Sequence, residues 1–292
     1  MDGIVSESNL TNEEMDRLYE EVAGGNEEPD EQIISLDDIE NFPTEDLTIT
    51  IPTNSPTLLM SEETSRFSSA EWFEAIQQKT ITVAGIGGIG SYVVFLISRM
   101  HPTALNIYDM DIVEPVNMSG QLYSRNDIGE SKTSSIRKMV RDYSNFYNTD
   151  SFGEFTENSL IDPIAICGFD NMRARRIFYE RWKSQLSTMI DKSKALFIDG
   201  RLAAEEFQVL CMTGTDDYLM KKYEEEWLFS DLEAEETLCS YKQTSYCANM
   251  IASVMTNLLV NFAANGCNPL MPRELPFITR YDGNTMMFKT EM

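Results

Sequence analysis

The segment of this sequence best suited to chemistry is Gly85-Ile86-Gly87-Gly88-Ile89-Gly90-Ser91. It follows the β-branched stretch Thr80–Ala84 and opens the apolar stretch Ile89–Met100, so it reads as a strand, a turn and a helix start. Without Cβ atoms, Gly85 and Gly87 let the backbone turn tightly and approach a ligand closely. Gly90 lets the helix pack on the strand, and Gly88 completes the cradle. Free N–H groups and the positive end of the helix then attract a phosphate. A purely structural turn is the alternative. Asp109, nineteen residues past Gly90, stands where such a fold sets an acid against a ribose hydroxyl. The loop and this acid suit NAD as well as ATP.

These residues need a scaffold that brings strand ends together. After the helical spacing of Ser69–Lys79 and the strand Thr80–Ala84, a second strand is expected over Ala104–Tyr108, then helix Lys132–Phe146, strand Pro163–Cys167 and helix Asn171–Leu186. Strands Ala195–Ile198 and Glu206–Met212, an acidic helical segment Asp216–Glu236 and the apolar helix Ser245–Ala264 follow. The end of the chain, Phe277–Arg280 and Met286–Lys289 around Asp282-Gly283-Asn284, has the pattern of a hairpin. Strand and helix alternating at this spacing specify βαβ units: an α/β fold with a doubly wound, Rossmann-like, mostly parallel sheet covered on both faces.

Composition narrows the function further. The chain has 292 residues, 42% of them hydrophobic, and a net charge of −25. A surface this acidic repels phosphate backbones and anionic lipid, so nucleic acid and membrane are not expected partners. Residues 1–60 carry sixteen acidic residues against Arg17 alone and are broken by glycine and proline. They read as an acidic tail, disordered or partner-binding, ahead of a domain at 61–292. Glu13–Val22 and Ile33–Phe42 are its two stretches able to become helical against a partner. Five scattered cysteines without a CxxC pair suit a reducing, cytoplasmic setting. Met250–Ala264 is interrupted by Ser253, Thr256, Asn257 and Asn261, which argues against a membrane span.

Past the second strand the sequence reads Asp109-Met110-Asp111-Ile112-Val113-Glu114-Pro115-Val116-Asn117-Met118-Ser119-Gly120-Gln121, then Asp127-Ile128-Gly129-Glu130-Ser131-Lys132, then Gly168-Phe169-Asp170-Asn171-Met172-Arg173. In order and spacing, over about residues 61–265, this resembles the ThiF/MoeB/HesA superfamily of ubiquitin-activating-enzyme-like adenylyltransferases. The resemblance implies ATP and Mg²⁺. Lys132 would contact the phosphates and Asp170 would hold the metal. Asp109 would bind the ribose beside Asp111, and Asn117 and Gln121 would shape the phosphate pocket. It also implies a two-fold homodimer in which Arg66 reaches the neighbouring subunit's ATP. The implied substrate is the C-terminal carboxylate of a ubiquitin-like or sulfur-carrier protein, or of a short peptide. A dehydrogenase requires neither Lys132 nor Asp170, which demotes an NAD-dependent oxidoreductase to an alternative.

The sequence also departs from the family's pattern. Gly120 stands where an arginine is usual, and Arg125 is a candidate substitute. That loss supports a further alternative, a non-catalytic nucleotide-binding partner subunit. The two CxxC pairs of the family's zinc site are absent. Arg201, in Ile198-Asp199-Gly200-Arg201, either steers an incoming carboxylate or pairs with Asp199 or Glu205. Cys239, shortly before the long apolar helix, matches the place of the thioester-forming cysteine in some relatives. Its activation would have to come from Lys242 or the helix N-terminus, because His101 is the only histidine. Cys247, one turn into the helix, is expected to pack inside.

Overall fold

The strand expected over Thr80–Ala84 is β1, and its inner residues are buried on both faces. It lies between two parallel neighbours: β2 (Ala104–Tyr108), with Thr80 opposite Ala104, and β4 (Ile164–Cys167), with Ile81 opposite Ile164. The computed structural model describes residues 62–67, 69–229 and 243–292. The acidic leader, residues 230–236 of the acidic segment, Cys239 and Lys242 lie outside these residues.

β3 (Thr149–Phe152) extends the sheet beyond β2, and β5 (Leu196–Ala203) extends it beyond β4, both in parallel. Three antiparallel strands follow: β6 (Glu206–Thr213), β7 (Ile278–Asp282) and β8 (Met287–Glu291). Among the described residues the order is β3-β2-β1-β4-β5-β6-β7-β8. Winding thus proceeds outward from β1 to β3 and then reverses to β4. The reversal opens a crevice at the carboxyl ends of β1 and β4, the place where doubly wound sheets bind ligands.

Among the described residues, six α-helices cover the sheet. They are α1 (Glu71–Gln77), α2 (Gly88–Ser98), α3 (Lys132–Ser144), α4 (Met172–Leu186), α5 (Asp217–Glu226) and α6 (Ser245–Cys267). Alternation along the strands sorts the core into two layers. Ile164, Ile166, Leu196 and Ile198 join Val93 and Ile97 of α2, Ile136 of α3, and Ile251, Met255 and Leu259 of α6. Ala165, Cys167 and Phe197 join Phe178 and Trp182 of α4 and Tyr223 of α5 on the other side. Burial of each large apolar side chain stabilises the fold by about 1.5–3 kcal/mol before entropy is counted. By length and composition α6 could cross a membrane. Here its apolar character is used against α1, α2 and the sheet.

The differences from the sequence-based expectation have physical causes. β3 was not anticipated, because Thr-Asp-Ser-Phe lacks an apolar run; an edge strand needs only Thr149 buried. β5 continues past Ile198, where the strand is expected to end, through Asp199-Gly200-Arg201, because β6 returns along it around the turn at Ala204-Glu205. The sheet is therefore parallel only from β3 to β5.

Candidate functional site

The glycine loop joins β1 to α2 at the crevice. Gly85 has φ +83°, and a β-carbon on it would stand 2.6 Å from the backbone of Gly168 and Phe169. Only glycine allows the turns after β1 and β4 to come this close. A β-carbon on Gly90 would collide with the Gly85 carbonyl oxygen, so this residue packs helix on strand as expected. At Gly87 the nearest group would be Gln121 Nε2 at 3.9 Å, which leaves this face of the loop accessible. Gly88 is different: a β-carbon there would run into the carboxamide of Gln243.

Asp109, directly after β2, ties the loop down. Its Oδ2 accepts from the Ile86 N–H at 2.7 Å and its Oδ1 from the Asp111 N–H at 2.9 Å. Burial pushes its carboxyl above the ordinary carboxylate range, while nearby Lys132 pulls it down. Each oxygen keeps a lone pair for a further donor such as a ribose hydroxyl. Tyr123, which sequence reasoning missed, secures the same loop by donating its hydroxyl to the Ile86 carbonyl.

Lys132 begins α3, capped by Ser131, whose side chain accepts from the Ser134 N–H at 3.2 Å. Its ammonium donates to Asp111 Oδ2 at 2.8 Å, and its own N–H bonds the Asp111 carbonyl at 3.0 Å. The lysine side chain is 8% exposed and that of Asp111 57%. Lys132 is therefore not an ordinary surface charge. Of its three ammonium donors, the carboxylate uses one.

The stretch between these acids and Lys132 is short-ranged structure. Pro115–Ser119 forms a 3-10 turn in which Asn117 Oδ1 accepts from the Glu114 N–H at 2.8 Å. Asn117 thus shapes the loop through one oxygen and keeps its NH₂ group. Gln121 lies beside Gly87, and its buried Oε1 has no hydrogen-bond partner among the described residues. Arg125 is exposed on the next turn, Arg125–Asp127.

Asp170 and Asn171 follow β4. Asn171 caps α4 by accepting from the Ala174 N–H at 2.8 Å, which leaves Asp170 exposed with Asn171 Nδ2 at 3.3 Å. No cluster of three metal-ligating side chains exists among the described residues. A lone exposed carboxylate on the turn that touches the glycine loop fits Mg²⁺, a hard ion that takes most of its oxygens from phosphates and water.

Arg66 is exposed on the 3-10 turn Glu62–Phe67, which is anchored by Phe67 against Trp72 and Phe73. Arg201 is not free to steer a carboxylate. Its Nε donates to Asp199 Oδ2 at 3.0 Å and its NH2 to the Trp227 carbonyl at 2.8 Å, with Tyr223, Trp227 and Phe229 around the guanidinium. Asp199 also pairs with Arg175 and accepts from Tyr223 at 2.9 Å. Arg175 in turn holds the Phe169 carbonyl, immediately before Asp170. Sequence reasoning passed over Arg175, although it ends the Asp170-Asn171 motif with the spacing D-N-x-x-x-R.

Cys167, Cys211 and Cys247 are buried, and burial raises all three thiols, Cys211 to about 12 and Cys247 to about 11. Cys247 packs inside, as expected. Cys267 is exposed near the Glu71 carbonyl. Cys167, opposite Ala84 directly before the glycine loop, is fully buried in the core.

A doubly wound sheet with a glycine cradle, an acid after its second strand and a buried lysine at the mouth defines a Rossmann-like nucleotide-binding domain. The ThiF family pattern matches residues 61–291, and the chain belongs to that family. It is similar to Ubiquitin-like modifier-activating enzyme 5 of Caenorhabditis elegans, with 37% identity over 68 residues, covering 23% of this chain and 16% of the relative. The enzyme of the same name from Culex quinquefasciatus is 28% identical over 129 residues, covering 38% of this chain and 32% of the relative. The matches thus span about a third or less of the curated relatives' length. Among solved structures, PaaA aligns with 15% identity and E. coli MccB bound to ATP with 12%. Both alignments have a TM-score of 0.54 and cover 75% of this chain and 65% of the other. At such identities the likeness speaks for the fold.

Proposed function

We propose that this chain is an ATP-dependent adenylating enzyme that transfers AMP to the C-terminal carboxylate of a ubiquitin-like or sulfur-carrier protein, or of a short peptide, and releases pyrophosphate. The observation that carries this reading is Lys132, buried, paired with Asp111 and beside Asp109, at the mouth of a glycine cradle. Membership of the ThiF family supports it, as do the similarity to Ubiquitin-like modifier-activating enzyme 5 and the MccB structure in complex with N-formylated MccA.

In the reaction, a substrate carboxylate oxygen attacks the α-phosphorus in line. The bond from that phosphorus to the bridging oxygen breaks, and pyrophosphate leaves with the electron pair. Catalysis is then mostly positioning and charge compensation. Lys132 and the N-terminus of α2 offset the phosphates' charge, and Asp109 orients the ribose. Bound Mg²⁺, held by Asp170, would neutralise phosphate oxygens and favour departure of the leaving group. In this reading Arg66, exposed on its own subunit, acts across a homodimer. Where a thioester follows, the Cys239 thiolate attacks the acyl carbonyl and AMP departs. The setting is cytoplasmic, and an acidic surface disfavours nucleic acid and membrane.

The test is pyrophosphate exchange into ATP in the presence of a panel of Gly-Gly-ended ubiquitin-like proteins, alongside calorimetric titration with ATP and with NAD. Acceptor-dependent exchange that disappears in Lys132→Ala and Asp170→Ala is expected. Absence of ATP binding, or preferential NAD binding, would end the reading. Gly120 favours a second one, a non-catalytic nucleotide-binding partner subunit. Tight ATP binding without exchange for any acceptor would support it.

A further inference from the structure

Two carboxamides stand at the mouth of the cradle, and one comes from a distant part of the chain. Gln121 lies beside Gly87, whereas Gln243 is wedged between Gly88 and Gly120. A β-carbon on Gly88 would lie 2.0 Å from Gln243 Oε1, 2.7 Å from Cδ and 2.9 Å from Nε2; one on Gly120 would lie 2.8 Å from Cγ and 2.9 Å from Nε2, so the amide turns its oxygen toward Gly88 and its nitrogen lies within reach of both glycines. The Gln243 backbone is fixed on both sides. It bridges to Ala204 in the β5–β6 turn, and the next residue, Thr244, caps α6 by accepting from the Cys247 N–H at 3.4 Å. The amide therefore sits against the first residue of α2, where N–H groups and the helix dipole collect an anion.

We infer that Gln243 is a phosphate-binding residue of this site and that it, rather than a cation, occupies the space beside Gly120. The inference rests on the nucleotide reading above. A carboxamide offers two N–H donors and no charge. It can fix phosphate oxygens in direction without neutralising them, so Lys132 and the helix end carry the charge compensation. It also explains why position 120 is glycine here: any larger side chain must first displace Gln243. Arg125, exposed on its own turn, is not needed as a replacement.

The experiment is calorimetric titration of the full chain with MgATP, with thermal unfolding measured on each variant. Gln243→Ala should bind about tenfold more weakly, as expected for loss of a hydrogen bond to a charged group. Gln243→Glu keeps the shape but sets a carboxylate against the triphosphate, and affinity should fall about a hundredfold or more. Gly120→Arg alone should weaken binding, and Gly120→Arg combined with Gln243→Ala should recover it, because the arginine then has both space and charge. ATP affinity unchanged in Gln243→Glu, or a lower melting temperature in Gln243→Ala without a change in affinity, would reduce Gln243 to packing and overturn the inference. If the wild-type chain binds no MgATP, the nucleotide reading itself fails, a distinct result that overturns both.

Discussion

Two clusters of basic and acidic side chains lie at the carboxyl ends of the strands, and they are built oppositely. Asp109, Asp111 and Lys132 follow β2 and open α3, with Asp111 more than half exposed and two ammonium donors of Lys132 left over. Arg175, Arg201, Asp199 and Tyr223 form the other, beside β4 and β5. There Asp199 is wholly buried, Arg175 nearly so, and partners converge on Asp199 from three residues. Burial raises the Tyr223 hydroxyl pKa, keeping it the neutral donor in that set. The first cluster has capacity for a ligand. The second is shut away from solvent, its ions paired with one another although Arg175 Nε lacks a hydrogen-bond partner among the described residues, and it serves as a strut, holding Phe169 ahead of Asp170 on one side and Trp227 on the other. Charge at a strand end is therefore no mark of a site; access from solvent is.

The largest expected effect breaks the buried cluster. Asp199→Ala leaves two guanidinium groups facing each other without a counter-ion, and removing one member of a buried ion pair costs about 3–5 kcal/mol. Equilibrium urea unfolding should register that loss. A loss below about 1 kcal/mol would mean that water reaches the cluster and that the contrast is overstated. Lys132→Ala is the mirror experiment. Its partner Asp111 is largely hydrated, so stability should change by less than about 1 kcal/mol, whereas ATP affinity should drop about a hundredfold, or roughly 2.7 kcal/mol. Equal losses in both measurements would erase the distinction. Next in size, Mg²⁺ should tighten ATP binding to the wild-type chain about tenfold and leave Asp170→Ala unaffected, with calorimetry at matched ionic strength as the measure.

The sequence revealed the open cluster far better than the strut. Gly85, Asp109, Lys132 and Asp170 stand at strand ends or helix starts, where local pattern dictates position, and β1 and β2 were readable to the residue. Gln243 and Arg201 derive their roles from partners distant in the chain: Gly88 and Gly120 for the one, Trp227 for the other. No local spacing encodes such pairings. For Arg201 the sequence leaves two readings, steering a carboxylate or pairing with Asp199 or Glu205, and only the bonds to Asp199 and the distant Trp227 carbonyl decide between them. β3 escaped notice for a related reason, since its register is set by β2 and not by apolar residues of its own.

The smallest expected effect concerns Asp109, which shares features of both clusters: half-buried and hydrogen-bonded, yet unsaturated. Burial raises its carboxyl pKa in the folded chain. At a pH below the unfolded value both states hold the proton, and its contribution to stability is complete. As pH climbs from the ordinary carboxylate range through the raised folded value, the unfolded chain releases its proton first, so that contribution declines and then levels off. Nucleotide binding should run the other way, because a ribose hydroxyl donates to the ionised form. Stability of the wild type relative to Asp109→Asn should therefore fall across this acidic window while ATP affinity rises. Parallel trends in the two quantities would place the ribose elsewhere and leave Asp109 as a clamp on Ile86 alone.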